Sequence, residues 1–111
     1  MIFITQGRFT QTAMKGMVAK PEDRAEQVRG LIERAGGRMV AYYVTLGEYD
    51  FLIVSEGEID LPSYMGTMAV AAAGGGVSDL KSTIALSSAD MKGALEKAQA
   101  SSGQFRSAGQ A

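Results

Sequence analysis

Hydrophobic and polar positions along the chain predict strands and helices in the order βαββαβ, followed by one more helix. The strongest pattern lies in residues 36–56, where residues 38–46 are rich in β-branched and aromatic side chains and residues 51–54 are continuously apolar. Gly47 and Asp50 lie between these two segments and favour a tight connection. Residues 36–56 are therefore predicted to form a β-hairpin.

The N-terminal part predicts one strand and then a broken helical region. Residues 2–9 carry bulky side chains on both faces of a strand, which is typical of a central strand. Thr10 or Thr12 is placed to cap a helix, and apolar residues recur at helical spacing through residues 10–35. Pro21 interrupts this pattern. We predict it at the first position of the restarted helix, because the acidic residues that follow suit a helix N-terminus.

After the hairpin, Asp60 is placed to cap a helix that has Pro62 in its first turn and ends near Ala73. Residues 77–86 then predict an edge strand, since charged side chains on one face protect against further pairing. The predicted buried stripe of the helix consists of Leu61, Met65, Met68 and Ala72.

A last short helix is predicted after the fourth strand. Ser88 or Asp90 can cap it, and apolar residues recur at helical spacing as far as Ala98. Residues 101–111 are polar and contain glycine, so we expect this tail to be frayed. The predicted division is a domain over residues 1–87 and a helix with a polar tail over residues 88–111.

This element order predicts an α+β fold of the ferredoxin-like type, with helices on one face of a four-stranded antiparallel sheet. The right-handed crossover rule places the first and third strands in the middle. Simple alternation in the first hairpin strand puts Met39, Ala41 and Tyr43 on one face and Val40, Tyr42 and Val44 on the other.

The sheet face without helices would expose a large apolar patch, since both faces of the predicted hairpin carry apolar side chains. A two-fold homodimer in which two sheets face each other would cover it and enclose a barrel-like interior. We therefore expect the chain to pair with itself as a homodimer or a larger homo-oligomer.

Composition narrows the possible functions. The 111 residues suit about one domain, and eleven basic and twelve acidic side chains are spread along the chain, which gives no footprint for nucleic acid or an anionic membrane. Cysteine and histidine are missing, which excludes disulfides and removes the commonest metal ligands and general base. We expect no metal, no cofactor, no nucleic-acid partner and no membrane association. The lack of a spanning or signal-like segment favours the cytoplasm.

The connection TLGEYDFLIV, the opening ITQGRFT, the preceding GGRMVAYYV and the helix PEDRAEQVRGLIERAGG together resemble the GYD domain family. The motif that names this family is carried here by Gly47, Tyr49 and Asp50, and the resemblance covers roughly residues 1–86. It implies a bacterial or archaeal ferredoxin-like chain of the dimeric α+β barrel type, and it implies no established biochemical function.

The motif has a structural and a functional interpretation. Structurally, Gly47 provides a positive φ, Tyr49 braces the hairpin by packing, and Asp50 accepts N–H groups of the turn. Functionally, Glu48 or Asp50 projects into a pocket as an acid, a base or a ligand anchor, with Tyr49 beside it. The sequence leaves both interpretations open.

The end of the sheet face offers a second group of candidates. Gln6, Arg8, Tyr43 and Thr45 could converge as hydrogen-bonding groups beside a mainly apolar chamber, which is the composition of a small-molecule pocket. Ordinary packing by one of the adjacent tyrosines and rim ion pairing by Arg8 are the structural alternatives.

Three functions remain open from sequence. One is a homo-oligomer that binds a small apolar or aromatic ligand between its facing sheets. A second is a cofactor-independent oxygenase or isomerase, in which Tyr43, Arg8 or Asp50 would orient the substrate or move a proton. A third is a purely structural or assembly module whose interior is filled by its own side chains.

Overall fold

The computed structural model describes residues 1–110. The strands pair only in antiparallel fashion, in the order β2-β3-β1-β4. This confirms the predicted ferredoxin-like α+β fold, with the first and third strands in the centre. The elements are β1 (Ile2–Phe9), α1 (Gln11–Ala19), α2 (Ala25–Arg34), β2 (Arg38–Val44), β3 (Phe51–Glu56), α3 (Leu61–Ala73), β4 (Val77–Ala85) and α4 (Ser88–Ser101), with a short 3-10 turn over Ser102–Gln104.

Polar side chains define the helix starts. Thr10 caps α1, where its hydroxyl accepts the N–H of Ala13 at 3.2 Å. The prediction that Pro21 opens the second helix is wrong, because residues 20–24 form a separate link and α2 begins at Ala25. Asp23 supplies the local reason, since its carboxylate accepts the Ala25 N–H at 2.9 Å and so fixes the start of α2 after the proline.

The caps of the later helices agree in part with the sequence. Asp60 caps α3 as predicted, accepting the N–H of Ser63 at 2.8 Å. The cap of α4 is Ser87, whereas the sequence predicted Ser88 or Asp90, and the Ser87 hydroxyl accepts the N–H of Asp90 at 3.0 Å. Both caps satisfy N–H groups that have no partner within their own helix.

The core lies between the sheet and the helices. One cluster is built on Phe3, whose ring stacks on Tyr64 of α3 with centroids 3.9 Å apart. A second cluster joins Met39, Phe51 and Ile53 below α2. Burial of these side chains supplies the main stabilising term of the fold, at about 25 cal/mol per Å² of apolar surface.

The predicted buried stripe of α3 is wrong for most of its members. Tyr64 and Thr67 are the buried residues of this helix, while Leu61 and Met65 are exposed. Only Met68, which packs against the cluster of Phe3 and Tyr64, faces the sheet as predicted. α3 is apolar on nearly every side, so its hydrophobicity does not indicate which side is buried.

Two irregularities in the strands decide which side chains share a face. The pairing of β2 with β3 shifts register between Met39 and Ala41, so Met39 joins Tyr42 on the helix side and the predicted strict alternation is wrong. The pairing of β1 with β4 shifts between Gln6 and Arg8. Asp79 lies in this second bulge with a φ of 52°, a conformation that non-glycine residues rarely adopt.

The second face of the sheet carries no helix and forms what we call the open face. Cross-strand partners line up across it in three rows. The middle row is largely apolar, and charged residues lie in the rows on either side. The rows are Lys81, Gln6, Leu52 and Tyr43, then Thr83, Ile4, Val54 and Ala41, then Ala85, Ile2, Glu56 and Arg38.

The last helix projects from the body of the protein. Every residue of α4 is exposed, including Met91 and Leu95, and the described chain measures 64 × 31 × 23 Å along its principal axes. The tail that we expected to be frayed continues the helix to Ser101 and then forms a 3-10 turn. Ala111 lies outside the described residues, and the division between residues 87 and 88 stays a prediction.

Candidate functional site

The connection between β2 and β3 is bonded to the end of β1. The N–H of Asp50 donates to the carbonyl of Gly7 at 2.8 Å, and the carboxylate of Asp50 accepts the N–H of Phe9 at 2.9 Å. Asp50 thus accepts a hydrogen bond from the neighbouring strand, whereas the structural interpretation placed its partner within the turn. Gly47 has a φ of 145°, the positive value expected from its place in the connection.

Arg8 contacts the charged residues Glu48 and Asp79 at this end of the open face. Its Nε donates to the carbonyl of Glu48 at 2.8 Å, and its guanidinium lies 3.2 Å from a carboxylate oxygen of Asp79 and 3.9 Å from one of Glu48. The Arg8 guanidinium carbon also lies 5.1 Å from the centre of the Tyr49 ring, within the range of a cation–π contact. We call Arg8, Glu48, Tyr49 and Asp79 the Arg8 cluster.

Asp79 is the member of the Arg8 cluster that the sequence did not indicate. Its carboxylate reaches Arg8 because the bulge in β4 changes the register beside Arg8. The sequence contains no signal for this contact, because the bulge and the rare backbone conformation of Asp79 depend on pairing between distant strands. With two carboxylates beside one guanidinium, the cluster has a net negative charge and gives no attraction for an anionic ligand.

Gln6 and Tyr43 lie next to the Arg8 cluster on the open face. Both are cross-strand partners of Leu52, so they flank the same apolar side chain, and Tyr43 is 63% exposed. Thr45 is bonded differently, because its hydroxyl donates to the carbonyl of Tyr49 at 2.7 Å. The fold therefore brings the seven predicted site residues to one end of the sheet, and their role in ligand binding stays a prediction.

A cavity of about 310 Å³ lies on the opposite face of the sheet, between the sheet and helices α2 and α3. Its walls are mainly apolar, and within residues 1–110 its lining shares no member with the seven predicted site residues. Thr5, Arg24, Gln27 and Tyr42 contribute the polar side chains. The apolar side chains are Phe9, Val28, Leu31, Ile32, Phe51, Ile53, Met68, Val70, Ala71, Val77 and Leu80.

Charges of both signs lie near Arg24 at this cavity. The Arg24 guanidinium lies 3.2 Å from a carboxylate oxygen of Glu22. Burial raises the pKa of the Tyr42 hydroxyl, while the positive charge of Arg24 lowers that pKa and the negative charge of Asp23 raises it further. Tyr42 is therefore neutral at physiological pH and can offer a hydroxyl to a ligand.

Three hydroxyl groups meet beside the cavity. Thr5, which is 2% exposed, bonds to the hydroxyl of Tyr64 and lies 3.2 Å from that of Ser82, and the last two lie 3.1 Å apart. We call Thr5, Tyr64 and Ser82 the hydroxyl cluster. Thr5 is the residue of the cluster that also lines the cavity. Sequence reasoning missed the hydroxyl cluster because Thr5 and Ser82 become neighbours only through the pairing of β1 with β4.

No three histidine, cysteine, aspartate or glutamate side chains among residues 1–110 are grouped to hold a metal ion. No helix in the same residues has the length and apolar character needed to cross a membrane.

An antiparallel four-stranded sheet with helices on one face and an open second face defines a ferredoxin-like α+β protein. The chain belongs to the GYD domain family, whose model matches residues 3–95. The match includes the motif residues Gly47, Tyr49 and Asp50 and continues past β4 into α4, which confirms the resemblance noted in the sequence. No curated protein and no solved structure matches the chain.

Proposed function

We propose that this chain is a homodimeric module that binds a small apolar or aromatic molecule. The observation that carries the proposal is the cavity of about 310 Å³ between the sheet and helices α2 and α3. Small-molecule pockets in proteins have volumes of about 300–1,000 Å³, apolar or aromatic walls and a few polar groups. The cavity has each of these features.

The aromatic side chains of the cavity favour a flat ligand. The rings of Phe9 and Phe51 lie 5.3 Å apart, and those of Tyr42 and Phe51 lie 6.4 Å apart, each pair at a tilt near 40°. A planar aromatic molecule beside them gains contacts with ring faces and edges in addition to the burial of its apolar surface. The ligand chamber that we propose is therefore on the helix side of the sheet, in each protomer.

The open face supports the second part of the proposal, a homodimer. Its middle row presents Ile4, Val54 and Ala41 side by side, and charged residues flank this row. An apolar centre with a polar rim is the usual anatomy of a protein interface. In such a dimer the predicted ligand residues Gln6, Arg8 and Tyr43 would lie at the edge of the space between the two sheets, so a second chamber there remains part of the proposal.

The hydrogen bonds at Asp50 favour binding over catalysis. Its carboxylate accepts the N–H of Phe9, and its N–H and carbonyl bond to Gly7 and Thr45. The side chain is thus held against the backbone of β1 and is poorly placed to transfer a proton to a substrate. The presence of an open cavity likewise supports ligand binding over a module whose interior is filled.

Naphthalene is a suitable probe because it is flat, uncharged and fluorescent. We expect wild-type protein to bind it, and Ala71→Phe to weaken this binding at least tenfold because the new ring occupies the cavity. Ala69→Phe is the matched control, since Ala69 lies on the exposed side of the same helix and is not a lining residue. Binding is measured by fluorescence titration.

Two results would contradict the proposed ligand site. If the wild type does not bind naphthalene, the proposed ligand site is wrong. If Ala71→Phe retains the circular dichroism spectrum of the wild type and binds naphthalene equally well, the molecule is bound elsewhere, and the space between the sheets becomes the better location.

A further inference from the structure

Thr5 is the point where the cavity meets the hydroxyl cluster. Its side chain lines the cavity and is otherwise buried, and its hydroxyl bonds to those of Tyr64 and Ser82. A hydroxyl group has one donor and two acceptor positions. Two of these three are used within the cluster, so one remains for a ligand.

The neighbouring hydroxyls hold the Thr5 hydroxyl in place and so fix its remaining hydrogen-bonding position. Tyr64 is held by its stack on Phe3, and it lies 3.1 Å from Ser82, so the three hydroxyls form a closed set. In such a set each hydrogen bond polarises the next, which strengthens the bond that Thr5 can make to a fourth oxygen. Each hydroxyl in this closed set donates one hydrogen bond and accepts another, so the remaining position on Thr5 is a lone pair that accepts a hydrogen bond from a ligand.

The charges near the cavity argue for an uncharged ligand. Arg24 is the one cation among the described lining residues, and it already lies 3.2 Å from Glu22. Asp23 adds a second negative charge close enough to raise the pKa of Tyr42. One positive and two negative groups give no net attraction for an anion, and the apolar walls would remove the hydration of a charged ligand without replacing it.

Resting on the proposed function, we infer that the cavity takes an uncharged aromatic molecule that bears a hydroxyl group, and that this hydroxyl donates a hydrogen bond to the hydroxyl oxygen of Thr5. The ring lies beside Phe9, Tyr42 and Phe51, and the oxygen points to the floor of the cavity. Phenols belong to this class. Aromatic carboxylates do not.

A comparison of three probes on the wild-type protein is the first test. We expect 2-naphthol to bind about fivefold more tightly than naphthalene, because one neutral hydrogen bond adds roughly that factor. We expect naphthalene-2-carboxylate to bind more weakly than 2-naphthol. Equal binding of naphthol and naphthalene, or tighter binding of the carboxylate, would overturn the inference while leaving the cavity as a binding site.

Variants at Thr5 form the second test. Thr5→Val keeps the shape but removes the hydroxyl, so the affinity ratio of 2-naphthol to naphthalene should fall from about five to about one. Thr5→Ser retains the hydroxyl and should restore most of the ratio. Thr67→Val is the matched control, because this buried hydroxyl donates to Ser63 within α3 and lies outside the cavity lining.

The two proposals fail in different ways. If naphthalene does not bind the wild type at all, the proposed function fails and this inference fails with it. If naphthalene binds but Thr5→Val leaves the ratio unchanged, only the inference is overturned. The ratio between two ligands on the same variant is independent of small changes in stability, and the wild-type comparison needs no variant.

Discussion

Asp50 shows how one side chain can hold a motif together. Its carboxylate accepts the N–H of Phe9 at 2.9 Å and so joins the connection after β2 to the end of β1. Asp50→Ala leaves this N–H without its partner in a half-buried place, and we expect the free energy of unfolding to fall by about 1–3 kcal/mol. Asp50→Asn keeps an acceptor oxygen and should cost less. Urea unfolding measures both.

Glu48→Ala is the control for the Asp50 variants, because it removes a neighbouring carboxylate that is 75% exposed. Its long contact with Arg8 is exposed to solvent, so we expect a change within about 0.5 kcal/mol. A loss in Asp50→Ala no larger than the loss in Glu48→Ala would contradict the structural role of the aspartate.

At the scale of single residues, the sequence predicts roles that depend only on neighbouring residues in the chain. Gly47 needs a positive φ, and the composition of the connection is enough to predict that. Gly7 is different, because a Cβ there would lie 2.6 Å from the Phe51 ring and 2.8 Å from the Leu80 side chain. That requirement depends on the pairing of β1 with two other strands, as does the contact of Arg8 with Asp79, and local patterns contain neither.

At the scale of elements, capping residues were predictable and buried faces were less so. Thr10 and Asp60 cap α1 and α3 as their sequence positions indicated. The buried side of α3 could not be predicted, because small and apolar residues surround the helix and the position is decided by the stack of Tyr64 on Phe3. In β2, the bulge between Met39 and Ala41 moves Met39 to the face of Tyr42, and a two-residue period cannot reveal it.

The cap of α3 gives a prediction about pH. The backbone N–H of Ser63, followed by its hydroxyl, lowers the pKa of Asp60 below its ordinary value. A lowered folded-state pKa stabilises the protein above the unfolded value of about 4, and this contribution is lost as the pH falls through the folded-state pKa. The difference in Tm between wild type and Asp60→Asn should therefore be largest near pH 7 and shrink below pH about 4.

Glu58→Gln serves as the control for Asp60→Asn, because Glu58 is an exposed carboxylate two residues earlier in the chain. Its Tm difference from the wild type should stay small between pH 7 and pH 3. A constant Tm difference for Asp60→Asn over the same range would show that the charge of Asp60 does not stabilise the helix.

At the scale of the whole molecule, the open face leads to a prediction about assembly. Val54 lies in the middle row between Ile4 and Ala41. If two sheets face each other, Val54→Asp buries an unpaired charge at the interface, which costs about 3 kcal/mol or more and raises the dimer dissociation constant roughly a hundredfold. Sedimentation equilibrium at micromolar concentration measures the change.

Val18→Asp is the matched control for Val54→Asp, since Val18 is 73% exposed on α1 and is not part of the open face. It should leave the dissociation constant unchanged. A wild type that sediments as a folded monomer at micromolar concentration would contradict the proposed dimer.

The strand order could be predicted because few topologies satisfy short connections and right-handed crossovers for six such elements. The cavity could not be predicted from the sequence. Its volume depends on how far α2 and α3 stand apart above Thr5 and Phe51, and this separation is set by side-chain packing at several distant places. Sequence reasoning therefore predicted the ligand site on the open face, because the polar residues of that face can be recognised in the strand pattern.

The projecting α4 affects how the size of this protein will be measured. The Cα radius of gyration is 18.4 Å, a value typical of a compact chain of about 270 residues. The protein has 111 residues. A single protomer will therefore leave a gel-filtration column earlier than a compact protein of the same mass. The column therefore overstates the mass of the monomer, and light scattering, which reports mass directly, is the method that distinguishes a monomer from a dimer.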